Sequence, residues 1–403
     1  MAATGVDTAT RLQRYAELAV RVGANVQPGQ LVDVISYVEH ADLTREVVRS
    51  AYRAGAKYVD VLYRDDYVRR AMIEHAADDV LSWTPPWLLE RWKTTGTERA
   101  AVVAITGDAE PDLLADLPGE RVGKARMKEL AEEATRQLNE RLSNWVVIGV
   151  PTPGWAEQMF GEPDVERLWQ LVEHCVRLDE DDPVAAWQAH VARLGRRAHD
   201  LNELHIDSLR YRGPGTDLTV GLLPESRWQG CESVTADGIT YVANMPTEEV
   251  FTTPDCRRTE GTVRATMPLA LYGRIIRGLE VRFDAGRIVE VRAEEGADVI
   301  QAQLATEERA PYLGEVALVD GTSRIGQTGI NFTETLYDEN ATCHIAYGGA
   351  YAEAVEGGVI EGVNVAGVHT DFMIGGPEVD VDAVLGDGSV VPLLRNDVWQ
   401  LGT

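Results

Sequence analysis

Residues 31–63 commit the first part of the chain to a parallel sheet. LVDVISYV (31–38) is a short apolar run rich in β-branched residues. LTREVVRSAYRAGA (43–56) follows with apolar residues at the helical period, and KYVDVLY (57–63) is a second β-rich run. A helix between two such strands is the crossover that lets them lie side by side in the same direction. AAVVAIT (100–106) and WVVIGV (145–150) predict two further strands. Helices are expected over 8–24, 65–79, 124–142, 165–178 and 184–204. Pro151 and Pro153 break the fourth strand. The Gly-x-Gly turn of a dinucleotide site is missing after the first strand.

From Ile206 the pattern changes to short β segments and glycine turns, among them DLTVGLL (217–223) and EGTVRATMP (260–268). VRFDAGRIVEVRA (281–293) alternates about Asp284-Ala285-Gly286 and predicts a hairpin. A helix over 297–308 interrupts, and the chain ends in a strand pair about Gly386-Asp387-Gly388. The expected architecture is an α/β N-terminal domain with a parallel sheet over 1–185 and a mostly β (α+β) C-terminal domain over 186–403.

Charge narrows the partners. With 38 Lys+Arg against 65 Asp+Glu, the formal net charge is -27. No basic stretch offers a footprint for nucleic acid or for an anionic membrane. No apolar run approaches spanning length, and MAATGVDTAT lacks the features of a signal peptide. Cys175, Cys231, Cys256 and Cys343 have no pair spacing, which fits a reducing cytoplasm.

Four stretches carry the chemistry: PTEEVFTTP (246–254), GEVALV (314–319), YDENATCHIAYGGAY (337–351) and VHTDFMIGG (368–376). They contain Glu249, Glu315, Glu339, His344, His369 and Asp371, the residue types that ligate zinc, cobalt or manganese. Any one of these glutamates alone reads as a solvated strand end. Together, beside apolar runs such as VALV and FMI, they are costly to bury without a counter-charge. If His369-Thr370-Asp371 is extended, the His and Asp share a face and Thr370 takes the other. Six ligands suffice for two divalent ions, with one carboxylate bridging. Such a pair activates water and polarises a carbonyl, which is hydrolysis of a peptide, amide or ester. Tyr351 follows His344 by seven residues; in a helix both lie on one face, and the phenol is placed to meet an oxyanion. A core tyrosine is the competing reading. Phosphate-loop, G-x-S-x-G and H-E-x-x-H motifs are absent.

These motifs resemble the family of thermophilic aminopeptidase T, cytoplasmic metallo-aminopeptidases of peptidase family M29. The resemblance runs from RYAELAVRVGANVQPGQ (14–30) through WVVIGVPTPGWA (145–156), DPVAAWQAHVARL (182–194) and GPGTDLTVGL (213–222). It is most specific in NMPTEEVFTTPDCRRTEGTVRAT (244–266), LGEVALV (313–319), DENATCHIAYGGAY (338–351) and HTDFMIGG (369–376). It implies that Glu249, Glu315, Glu339, His344, His369 and Asp371 hold or surround two divalent metal ions in the C-terminal domain, with Glu315 bridging. It further implies that Glu315, His369 and Tyr351 are catalytic, that the substrates are short peptides with a free N-terminus, and that the protein is a homodimer. Two positions depart from the family pattern: Ala366 where a serine is common, and Asp397 where a glycine is common. The scaffold also resembles an iron(II) ring-cleaving dioxygenase with a smaller His/His/Asp set. The three glutamates here favour the peptidase, with a pathway-specific amide hydrolase as a further alternative.

Overall fold

A computed structural model describes residues 8–402. The chain forms two compact units. The first runs to Ala189 and takes in Glu232–Pro246; the second comprises His190–Cys231 and the chain from Thr247 onward.

The first unit is built on a five-stranded sheet in the order Tyr58–Arg64, Leu31–Tyr37, Ala101–Thr106, Trp145–Gly149 and Asn244–Met245. All neighbours are parallel. The crossover between the first two strands is the helix Ala41–Arg53, whose Leu43, Val47 and Ala51 are buried. Pro153 starts a helix after the fourth strand: it is the first residue of Pro153–Phe160, and Thr152 caps that helix by accepting from Trp155 N at 3.1 Å. The helix expected over 124–142 is two, Gly119–Lys124 and Lys128–Asn139. No residue at 125–127 compels the break. The second helix lies against Pro86–Thr97, where Gln137 Nε2 donates to Trp92 O at 2.7 Å, so packing overrides local propensity.

The second unit contains two larger antiparallel sheets and a two-stranded one, Leu269–Leu271 with Arg274–Ile276. An eight-stranded sheet includes the neighbouring strands Pro254–Arg264, Thr216–Leu222, Ile206–Gly213 and Asp380–Leu385, and the predicted 284–286 hairpin at one edge. A four-stranded sheet has the order Val250–Thr252, Leu313–Leu318, His344–Gly348, His369–Met373. Alternation gives this smaller sheet two unlike faces. Val250, Val316, Leu318, Ile345, Tyr347 and Phe372 join Leu209, Tyr211, Leu218, Val220 and Val263 of the larger sheet in one buried cluster. The other face carries Phe251, Ala317, His344 and Met373 in one row across the strands. Glu315, Ala346 and Asp371 form the next row, and Gly348 with His369 the last.

A bulge sets this pattern. Leu313 pairs with Tyr347, yet Glu315 pairs with Ala346, so Gly314 is the extra residue. Without it, Leu313 and Glu315 would point to the same face. With it, Leu313 enters the core and Glu315 turns to the polar side. Only glycine fits there, because a Cβ on Gly314 would lie 2.4 Å from Gly349 O and 2.6 Å from Gly348 O. Gly314→Val is therefore expected to cost about 1–3 kcal/mol, the usual range for overpacking. It should also lower metal content, because Glu315 moves with the bulge. Thermal unfolding and elemental analysis check both; normal stability and metal content would disprove this account of the bulge.

Candidate metal centre

The four-stranded sheet gathers side chains from four distant stretches. Glu249 ends the segment just before the first strand and is buried, as are Glu315, Glu339, His344 and Asp371. His344 Nε2 lies 2.9 Å from Glu249 Oε2. His369 Nε2 lies 3.2 Å from Glu315 Oε2 and 3.3 Å from Asp371 Oδ1. Two sets of three ligand atoms result, each within 4.8 Å of one another: Glu249, Glu315 and His344 in one, Glu315, His369 and Asp371 in the other. Glu315 belongs to both. Glu339, in the single turn Glu339–Ala341, lies outside both sets but feels the charges of Asp371, Glu249, His344 and Glu315.

The neighbouring Glu248 faces elsewhere. Its carboxylate meets Arg193 Nη2 at 3.2 Å and His190 Nε2 at 3.6 Å. Of the two adjacent glutamates, only Glu249 reaches the cluster, as alternation of side chains requires. Thr370 behaves likewise. It points to the opposite face from His369 and Asp371, and its hydroxyl donates to Gln303 Oε1 at 3.1 Å.

The cluster is strongly acidic for its burial. Burial, then the nearby Glu249 and Asp371 charges, push Glu315 up to about 7 despite the hydrogen bond from His369. Burial and the charges of Asp371 and Glu249 raise Glu339 well above the usual carboxylate range. For His344, burial disfavours the cation, but Glu249 and its neighbours outweigh it and raise the imidazole to about 10. Asp371 is held low in spite of burial by His369.

The donor set fits a divalent cation. Glu249 Oε2 and His344 Nε2 are close, yet Glu249 Oε2 makes no hydrogen bond and its buried lone pairs are unused. Lone pairs that converge without bonding each other are what a shared cation requires. His369 Nδ1 lies 2.7 Å from Gly349 O, which places a proton on Nδ1 and aims Nε2 at the carboxylates, where a bound cation would take the place of its proton.

Tyr351 reaches the cluster by a different route from the helical one expected. His344 is on a strand, and the chain turns at Gly348, with φ +104°, and at Gly349. The Tyr351 ring then sits 5.0 Å from the His369 ring and 5.9 Å from Phe251. Its backbone carbonyl accepts from Thr253 Oγ1 at 2.9 Å. Although His369 pulls the phenol down, burial and the charges of Glu315, Asp371 and Glu339 hold it above its ordinary value, so it stays protonated.

Several supporting residues carry no sequence signal. His190 reads as surface or packing from the sequence, but it is buried with Nε2 2.8 Å from Thr247 O. Gln303 accepts from both Thr370 and Tyr347 behind the ligand strands. Asn340 contacts two ligand segments at once. Asp397 has left-handed backbone, φ +62°, in which glycine is easy and Asp tolerated, and its carbonyl accepts from Gly321 N at 2.7 Å. The glycine that the family resemblance leads one to expect there would take this backbone without strain.

The thermophilic metalloprotease family M29 matches residues 8–399. Aminopeptidase T of Thermus aquaticus is 43% identical over 400 residues, covering 96% of this chain and 98% of that protein. Aminopeptidase T of Thermus thermophilus is 41% identical with the same coverage, and aminopeptidase AmpS of Bacillus subtilis is 38% identical over 404 residues, again covering 96% and 98%. The solved structure of wild-type AmpT from Thermus thermophilus superposes with a TM-score of 0.90 at 40% identity, covering 98% of this chain and 100% of that one.

Metal loading at this cluster would displace protons, from His344 and His369 near neutral pH and also from Glu315 below about 7. Loading the metal-free protein in weak buffer is expected to acidify the solution, and affinity should fall as pH drops below about 7. Potentiometric titration reads both. Loading without proton release would show that the ions bind elsewhere.

Proposed function

The chain belongs to the thermophilic metalloprotease family M29 and is a metal-dependent aminopeptidase; on that premise we propose that its catalytic centre is this carboxylate–imidazole cluster, holding two divalent ions. One is assigned to Glu249, Glu315 and His344, the other to Glu315, His369 and Asp371. The observation that carries this reading is the membership of Glu315 in both sets of ligand atoms. Charge supports it too. Two divalent ions offset the four carboxylates Glu249, Glu315, Glu339 and Asp371 while both imidazoles stay neutral. The O and N donors suit zinc, cobalt and manganese alike.

Such ions, when bound, supply an activated water and an electrophilic pull on the scissile carbonyl. The chain's own groups complete the chemistry. Tyr351 keeps its phenolic proton and donates it as a hydrogen bond to the developing oxyanion. His369 is fixed in one orientation by Gly349 O. Glu339, outside both ligand sets, can take a proton from the activated water and pass it to the leaving amine. A cationic peptide N-terminus is drawn toward a cluster this acidic, which favours short peptides with a free α-amine as substrates. The curated relatives are named aminopeptidases, and this leaves the ring-cleaving alternative without support.

The reading makes the second unit, within the expected 186–403, the catalytic metal-binding domain, and the first, the expected 1–185 with 232–246 added, the α/β domain. It also places the protein in the cytoplasm as a homodimer. All four cysteines are buried thiols, and no helix among the described residues is long and apolar enough to cross a membrane.

The test is a panel of free, acetylated and internally blocked peptides, assayed after reloading with zinc, cobalt, manganese or iron(II). Cleavage confined to free peptides is expected, and equal cleavage of acetylated peptides overturns recognition of the amine. Glu315→Gln should lose paired metal binding and activity by about a hundredfold or more. Tyr351→Phe should keep both ions and lose kcat by about a hundredfold. Loss of metal in Tyr351→Phe would make the tyrosine a ligand instead.

A further inference from the structure

We propose that Asn340 is a positioning residue for the metal centre, the tie that holds the Glu249 segment and the Glu339 turn in register; the proposal rests on the two-ion reading above. Asn340 is completely buried. Its side-chain Oδ1 accepts the backbone N–H of Glu248 at 2.7 Å. Its Nδ2 donates to Leu336 O at 3.1 Å and to Glu339 Oε1 at 3.4 Å. Its backbone carbonyl is held in turn by Ser323 Oγ at 2.6 Å. One amide thus grips the backbone next to one cluster carboxylate and the side chain of another.

The tie matters because the two segments are far apart in sequence and their carboxylates repel. Without it, Glu249 and Glu339 lower their electrostatic energy by separating toward water. The segment carrying Glu249 is clamped from its other side by the helix Pro183–Glu203. There His190 Nε2 bonds Thr247 O at 2.8 Å and Arg193 Nη2 bonds the Glu248 carboxylate at 3.2 Å. Those two contacts fix Thr247 O and the Glu248 side chain; Asn340 fixes the Glu248 N–H. An amide is needed because the site asks for an acceptor toward Glu248 and donors toward Glu339 and Leu336. Aspartate keeps the acceptor, loses the donors and adds a charge beside Glu339. Serine loses the reach to both and leaves room for water.

The experiment compares the full-length wild-type chain with Asn340→Asp and Asn340→Ser, each titrated with zinc alone. Four quantities are read: zinc stoichiometry and affinity, the rise in Tm that zinc produces, kcat, and KM. Zinc affinity is expected to weaken about tenfold or more in both variants, the usual effect of losing a residue that orients ligands. The zinc-induced rise in Tm should shrink accordingly. The kcat should fall while KM stays within about twofold, because Asn340 does not touch substrate. A lowered metal-free Tm with wild-type zinc affinity and kcat would make Asn340 merely structural and overturn the proposal. Failure of both variants to fold would do the same. If the wild-type chain takes up no zinc, the two-ion reading fails and carries this proposal with it; uptake by the wild type that the variants match overturns the Asn340 assignment alone.

Discussion

Mutual repulsion among Glu249, Glu315, Glu339 and Asp371 is the constraint around which the second unit is arranged. Four charged carboxylates buried beside one another have no stable arrangement by themselves. His344 and His369 offset part of the charge, as their raised pKa values record. The rest needs cations. A site of this kind holds its ligands together against their own electrostatics, so the surrounding fold has to be rigid.

The four-stranded sheet meets that demand by dividing its labour between faces. One face is a continuous apolar layer, from Val316 to Ile345 to Phe372, packed into the core of the unit. This anchors the strands by burial, which is indifferent to charge and metal. The other face can then present ionisable groups. Ala317, Ala346 and Gly348 are the small residues between the ligands on that face, and they leave room over the strands where the ligand atoms converge. The bulge at Gly314 joins the two roles within one strand, with Leu313 on the apolar side and Glu315 on the polar side.

Hydrogen bonds then fix what burial leaves free. Glu249 lies beyond the end of its strand and Glu339 in a single turn, so neither is held by a ladder on both sides. His190, Arg193 and Asn340 supply the missing constraints at the Glu249 segment, and Gly349 O orients His369 from behind. Tyr351 is placed by the turn at Gly348-Gly349 and by Thr253, against the ring of His369. Apart from that turn, none of these partners is near its target in sequence.

What the sequence determined by itself is what depends on local periodicity. The strand–helix–strand run at 31–63 dictated a parallel sheet, because no shorter link joins parallel strands. Alternation placed His369 and Asp371 on one face and Thr370 on the other. The same local reading misjudged the helix at 124–142 and the route to Tyr351, where packing and a glycine turn outweighed spacing. The family resemblance named Glu249 and, as the bridge, Glu315, but the residue pattern alone separates neither Glu248 from Glu249 nor the shared glutamate from the others; those geometries, and what Asn340 and His190 hold, are matters of tertiary structure. Each depends on a contact between segments distant in the chain. A one-residue bulge or a turn at a glycine changes such a contact without altering the pattern of residues on either side.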